Sequence, residues 1–335
     1  MEKVLAIETS CDDTSVAIVN YDGKFIKTEK SVSYSQIKEH KKFGGVVPEI
    51  ASRLHNEKII GILESIGKDN IVKCDKIVVT ANPGLPGSLI IGKTVANILG
   101  EYYGKEIIYE NHIHGHIFSI LLGRDIDKIN LPIAILTASG GHNDIYILSK
   151  NDNKFNLEHI GMTLDDASGE CFDKCARMLG GPYPGGAWIS KIAKDGKNDD
   201  DLKIGPIYLK QNEYKYSFSG IKSKVYYAIK QIEEKYGSLS DQDIKNIAYM
   251  TQEAIVKSLG KKIIQACLEY ECKTLSIVGG VSANDRLIEY IQNKTKKYNI
   301  DVIRPIKKEY STDNADMIGA SYLGKKYYFN LSLIN

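Results

Sequence analysis

Short apolar runs broken by polar turns open the chain. Val4-Leu5-Ala6-Ile7 and Val16-Ala17-Ile18-Val19 flank the polar stretch from Glu8 to Ser15, the pattern of two buried strands joined by a turn. The same grammar returns at Pro132-Ile133-Ala134-Ile135-Leu136, then Thr137 to Asp144, then Ile145-Tyr146-Ile147-Leu148. A strand and hairpin of one type therefore opens each half, and two related lobes are expected. A third strand, Thr274 to Val278, enters Gly279-Gly280-Val281-Ser282-Ala283-Asn284 and leads into a helical pattern from Asp285. Ile244, Ile247, Ala248, Thr251, Ile255, Leu259 and Ile263 recur at helical spacing and make one apolar face, read as core. Strands alternating with helices, and hairpins mixed with crossovers, predict an α/β fold with mixed sheets.

Composition narrows the class. At 335 residues, 43% apolar and 26% charged, the chain has material for a large core and two lobes. Lys and Arg number 44 against 42 Asp and Glu, so any nucleic-acid binding must be local rather than driven by overall charge. No apolar run approaches membrane-spanning length and the first residues lack signal-peptide architecture. No membrane association and a cytoplasmic location are expected. The six cysteines form no C-x-x-C pair, which predicts reduced thiols rather than a disulfide or zinc-thiolate framework. The polar run 197–201 and the lysine doublets read as solvated surface.

Candidate chemistry concentrates in Asn111-His112-Ile113-His114-Gly115-His116. On a helix, His112 and His116 share one face and two imidazoles can converge on an ion, with His114 directed elsewhere; on a strand all three would share a face. Two histidines leave an ion short of ligands. A carboxylate is available in Ser311 to Ile318, which reads as a capped helix start in which Asp313 is either the N-cap or a ligand. H-E-x-x-H is absent, which disfavours zincin-type peptide hydrolysis. The glycine and hydroxyl turns at 137–141 and 279–284 suit phosphate, since backbone without side-chain bulk brings N–H groups close to anionic oxygens. Neither a Walker P-loop nor a Rossmann fingerprint occurs. In the helix expected after Thr163, Asp166, Glu170 and Asp173 fall on one face, either to grip ribose hydroxyls or as a solvated stripe, and Pro182 to Gly186 forms a sharp turn.

Together these segments resemble the TsaD family of tRNA threonylcarbamoyladenosine synthases, nearly end to end. The resemblance is carried by Ile7 to Thr14, Phe43 to Arg53, Pro83 to Leu89, Asn111 to His116, Ser139-Gly140-Gly141-His142, Asp165 to Asp173, Tyr183 to Gly186, Ser217 to Gly220, Gly279 to Asn284 and Thr312 to Ala315. It implies a two-lobed actin-like ATPase (ASKHA) fold, with an N-terminal lobe of residues 1–130 completed by a C-terminal helix at 313–329, and a second lobe of 131–312. It implies transfer of threonylcarbamoyl from threonylcarbamoyl-AMP to N6 of the adenosine beside the anticodon, in tRNAs reading codons that begin with A, with release of AMP. The family's metal ligands match His112, His116 and Asp313. Its nucleotide-holding segments match Thr137, Ala138, Ser139, Gly140, Gly141, Asp173, Gly186 and Asn284. One divalent metal is implied, iron(II) ahead of zinc, and the adenylate nucleotide enters as part of the substrate.

Asp12, beside the first turn, is the candidate proton acceptor, its other reading being a brace for the hairpin. The implied partners are tRNA, a TsaB-like paralogue, a TsaE-like ATPase and a TsaC-like adenylate synthase. Two positions depart from relatives: His114 stands where bacterial members often carry glutamate, and Ser190 where some place an aspartate toward the ribose. Lys38, His40, Lys41, Lys42 and Arg53 form a candidate basic patch for tRNA. The alternatives are a sugar-kinase-like or other ATPase of the same fold, a metalloprotease, and a non-catalytic scaffold resembling the family's shorter paralogue.

Overall fold

The computed structural model describes residues 1–151, 154–209 and 214–329. It divides into two compact units: Met1–Asn130, Lys150–Asn156 and Arg304–Asn335 form unit 1, and Leu131–Ser149 with Leu157–Ile303 form unit 2.

In unit 1, β1 (Glu2–Glu8), β2 (Asp13–Tyr21) and β3 (Ile26–Ser35) run as a meander into α1 (Ile37–Lys41), α2 (Pro48–Ile66) and α3 (Lys68–Val72). Then come β4 (Lys76–Asn82), α4 (Pro86–Tyr103), β5 (Glu106–Asn111) and α5 (His112–Phe118). The sheet order is β3-β2-β1-β4-β5, antiparallel across the meander and parallel from β1 through β4 to β5. β1 sits centrally and is buried on both faces, which is why its sequence is a continuous apolar run rather than an alternating one. Leu5 and Ile7, with Val16 and Ile18 of β2, pack under α2 through Ile59, Ile62, Leu63 and Ile66.

Unit 2 repeats the plan with β6 (Ile133–Ala138), β7 (Asn143–Asn151) and β8 (Lys154–Met162), then α6 (Ser168–Met178), α7 (Gly185–Ile192), α8 (Ser219–Tyr236) and α9 (Asp241–Glu269). β9 (Thr274–Val278), α10 (Asp285–Thr295) and β10 (Asp301–Ile303) complete it. Its order is β10-β9-β6-β7-β8, with β6 antiparallel to β7 and parallel to β9. Read from the meander side, it is the order of unit 1.

The chain then returns to unit 1 as α11 (Ala315–Gly324), extended by a π-helical turn over Lys325–Phe329. Successive strand residues face opposite sides, and α11 lies on the face opposite α2. A Cβ on Gly319 would meet Val19 at 2.7 Å and Ala6 at 3.4 Å, so only glycine allows this close crossing. Residues 304–312, grouped by sequence with the second lobe, go with unit 1. The Arg124 guanidinium donates to the Arg304 carbonyl at 2.9 Å, and the Asn314 amide donates to the Glu309 carbonyl at 2.9 Å.

Three local expectations change. The cap of α11 is Asn314, whose side chain accepts from Met317 N–H at 2.8 Å, not Asp313. The helix expected from Thr163 begins only at Ser168, because Asp165 turns away to cap α8. Asp165 accepts from Phe218 N–H at 2.7 Å and from the hydroxyls of Ser217 and Ser219. His40 leaves the basic patch: it is fully buried and bonded to Gln36 at 3.0 Å, whereas Lys38, Lys41, Lys42 and Arg53 are exposed.

Candidate metal centre

α5 owes its position to Asn111, which ends β5 and caps the helix by accepting from Ile113 N–H at 2.8 Å and His114 N–H at 3.1 Å. His112 and His116 then stand one turn apart, ring centroids 4.8 Å from each other. Gly115 lets α11 come in close, since a Cβ there would lie 2.8 Å from Ile318 Cδ1. With Asn314 as the cap, Asp313 is directed to the histidines. Its Oδ1 lies 3.2 Å from His116 Nε2 and 3.6 Å from His112 Nε2. His112, His116 and Asp313 each offer a ligand atom within 4.8 Å of the others, the one such group among the described residues.

The donor set fits a divalent ion. Both ring nitrogens of His116 are buried and make no hydrogen bond, a state that costs on the order of 1–3 kcal/mol for a buried polar group and that coordination would relieve. Burial lowers the His112 pKa, but the charges of Asp313 and Glu8 outweigh it and raise the group to about 9. That environment attracts positive charge, whether a proton or a metal. Two imidazoles and a carboxylate suit iron(II) and zinc alike.

The structure also brings in Glu8, which sequence reasoning missed. It is fully buried at the end of β1, with Oε2 3.1 Å from His112 Nδ1. Burial raises its pKa, but the charge and hydrogen bond of His112 pull it lower and leave it below its ordinary value. A carboxylate ending an otherwise apolar buried strand was the available signal. Asp12 lies in the adjoining turn, outside the ligand group, and its pKa is raised by burial and then by Asp313. That turn is braced from below: Gln36 N–H donates to the Asp12 carbonyl at 3.0 Å, and His55 bonds the Cys11 carbonyl at 2.9 Å. His114 points away from the group, its Nδ1 3.9 Å from Glu110. Burial, then the charge of Lys325, pushes its pKa down to about 3, so it is neutral.

In unit 2 the nucleotide candidates form a connected set. The turn after β6 closes with Ser139 N–H donating to the His142 carbonyl at 2.9 Å. A Cβ on Gly140 or Gly141 would meet nothing within 4 Å, so this backbone borders open space. Gly279, at φ +85°, comes so close to Ala138 that a Cβ would sit 2.5 Å from its carbonyl oxygen. Gly169 N–H bonds the Ser139 carbonyl at 3.1 Å, Asp173 accepts from Gly185 N–H at 2.6 Å, and a Cβ on Gly186 would meet nothing nearer than Phe172, at 3.7 Å. Asn284 caps α10 and donates to Ser190 at 3.1 Å and to Gln252 at 3.2 Å. The Thr137 hydroxyl is already engaged, accepting from Asp144 N–H at 3.2 Å and donating to its carboxylate at 3.3 Å. Asp166 and Glu170 are neutralised by Lys174, and Asp166 also by Lys222. Of the three aligned acids only Asp173 joins this set.

Two mixed sheets of one strand order, with a glycine-rich turn in one unit and a ligand triad in the other, define a protein of the actin-like ATPase fold. HypF from T. kodakarensis superposes with a TM-score of 0.60 at 13% identity, over 97% of this chain and 48% of that one. Component A of (R)-2-hydroxyglutaryl-CoA dehydratase from Acidaminococcus fermentans gives 0.52 at 14% identity, over 98% and 99%. These likenesses concern the fold alone. The sequence model of TsaD, tRNA N6-adenosine threonylcarbamoyltransferase, matches residues 27–320, and the chain belongs to that family. Proteins of that name from Mesoplasma florum and Fervidobacterium nodosum are 41% and 40% identical, over 94% and 96% of this chain and 96% and 92% of theirs. No described helix is long and apolar enough to cross a membrane.

Proposed function

We propose that this chain transfers the threonylcarbamoyl group of threonylcarbamoyl-AMP to N6 of the adenosine beside the anticodon, in tRNAs that read codons beginning with A. The N6–carbonyl bond forms, the bond from that carbonyl carbon to the phosphate oxygen breaks, AMP leaves, and the amine gives up one proton. The single observation that carries the reading is the His112, His116 and Asp313 triad with its unsatisfied His116 nitrogens, in a chain of this family.

His112, His116 and Asp313 would hold the metal, iron(II) in preference to zinc by family resemblance. A divalent ion held there would supply positive charge to the reacting acyl phosphate. Ser139, Gly140 and Gly141 receive phosphate through backbone N–H groups, and Thr137 and Ala138 contribute backbone alone. Asp173, Gly186 and Asn284 shape the place of the nucleoside. Where some members set an aspartate, Ser190 is turned to Asn284, so ribose is held with one charge fewer than in those members. AMP is a good leaving group, which makes positioning the main task. Asp12 takes the proton from the amine. A TsaB-like paralogue, a TsaE-like ATPase and a TsaC-like adenylate synthase complete the cytoplasmic pathway.

The test is to incubate the chain and its partners with unmodified tRNA and threonylcarbamoyl-adenylate, digest to nucleosides and look for the adduct. Adduct together with AMP in equal amount is expected. AMP without adduct would show a hydrolase and refute the transferase reading.

A further inference from the structure

The two candidate ligand histidines are not supported alike. Both direct Nε2 toward Asp313, at 3.6 Å for His112 and 3.2 Å for His116. Behind the rings the surroundings differ. His116 Nδ1 is buried with no hydrogen-bond partner. His112 Nδ1 meets Glu8 Oε2 at 3.1 Å and the Ser10 hydroxyl at 3.1 Å.

Glu8 is itself closely held. Its Oε1 accepts from the backbone N–H of Ser10, and its Oε2 accepts from the Thr80 hydroxyl at 2.7 Å. With His112 these make three donors around a carboxylate without solvent exposure. Such a surrounding selects the ionised form, which can only accept hydrogen bonds. The hydrogen shared with His112 therefore belongs to Nδ1, so Nε2, on the Asp313 side, is the nitrogen that exchanges its proton for a metal. Glu8 is not one of the three ligands. It is supplied by β1, and its support, Thr80, by the neighbouring β4, so sheet pairing fixes the arrangement.

We infer that Glu8 is a positioning residue that fixes the tautomer and ring orientation of His112 for metal binding, so that His112 is prepared for the ion from behind while His116 has no polar support at Nδ1. This rests on the metal-binding reading of the triad. A carboxylate behind a ligand imidazole raises its basicity, and losing such a partner typically weakens metal binding about 10–100-fold. Glu8 and Asp313 together also supply two negative charges, matching a divalent ion.

The experiment titrates the metal-free chain with Co(II), following its visible absorption and measuring affinity by chelator competition, for wild type, Glu8→Gln and His116→Ala. Glu8→Gln keeps the size and removes the charge. Its affinity is expected to fall about 10–100-fold with an altered absorption envelope, while His116→Ala loses the tight site. Equal affinity and an identical spectrum in wild type and Glu8→Gln would overturn the role of Glu8 and leave the metal reading standing. Failure of wild type to bind, or binding unchanged by His116→Ala, would overturn both. Should Glu8→Gln not fold, nitrogen-15 spectra of histidine-labelled wild type loaded with Zn(II) decide. A protonated Nδ1 and a metal-bound Nε2 on His112 are expected, and the reverse assignment would refute the inference.

Discussion

The exits of β1 and β6 occupy equivalent places in two sheets of the same strand order, yet they are finished in opposite ways. The turn after β1 carries Glu8, Asp12 and Asp13 and packs closely on its neighbours, with a Cβ on Gly84 falling 2.7 Å from the Ser10 carbonyl oxygen. The turn after β6 carries no charged side chain from Thr137 to Gly141, and Gly140, Gly141 and Gly280 border open space. In the proposed reading, the packed acidic turn supports a cation through His112, which Glu8 contacts at 3.1 Å. An open neutral turn offers N–H groups to an anion. One backbone plan thus carries two differently finished strand exits, and the difference lies in side-chain charge and glycine placement rather than topology.

That contrast can be broken from either side. The largest effect is expected from His112→Ala combined with His116→Ala, which should lower adduct formation on the order of 10³-fold by removing several kcal/mol of charge stabilisation; nucleoside digests measure it. In unit 2, Gly141→Val adds bulk at a position where a Cβ meets nothing within 4 Å. It should weaken AMP binding by about tenfold or more in calorimetry, through loss of about 1.4 kcal/mol or more, while leaving the melting temperature unchanged. Gly84→Ala probes the opposite case. Its methyl meets the Ser10 backbone and should destabilise by about 1–3 kcal/mol, seen in denaturant unfolding, with no direct loss of AMP affinity. The smallest effect is expected from Asn314→Ala, about 1 kcal/mol for a lost cap, with a modest weakening of metal binding because Asp313 is aimed by that cap.

Much of the frame was legible in sequence because it depends on local pattern. The apolar runs of β1, β2, β6, β7 and β9 and the apolar face of α9 were readable, as was the i,i+4 spacing of His112 and His116. β3 was not, since it is an edge strand with mostly exposed polar side chains and no alternation strong enough to mark it. For Asp313 the spacing favoured a cap and the family resemblance a ligand; the structure gives the cap to Asn314. The expected stripe of Asp166, Glu170 and Asp173 dissolved because Asp165 and Asp166 are drawn to α8 by partners more than 50 residues away. Glu8 could be noticed as a carboxylate ending an apolar strand but not assigned a partner, because its histidine lies 104 residues along the chain and no local spacing encodes that meeting.

The central claim, that a metal held by His112, His116 and Asp313 is needed for transfer to tRNA, is tested most directly by stripping the chain with chelator and reloading it. Metal content and adduct are followed together, with His116→Ala alongside. No adduct is expected from the stripped chain, recovery is expected as about one equivalent of iron(II) or zinc returns, and neither tight binding nor recovery is expected in His116→Ala. Full adduct formation by the stripped, metal-free chain would contradict it.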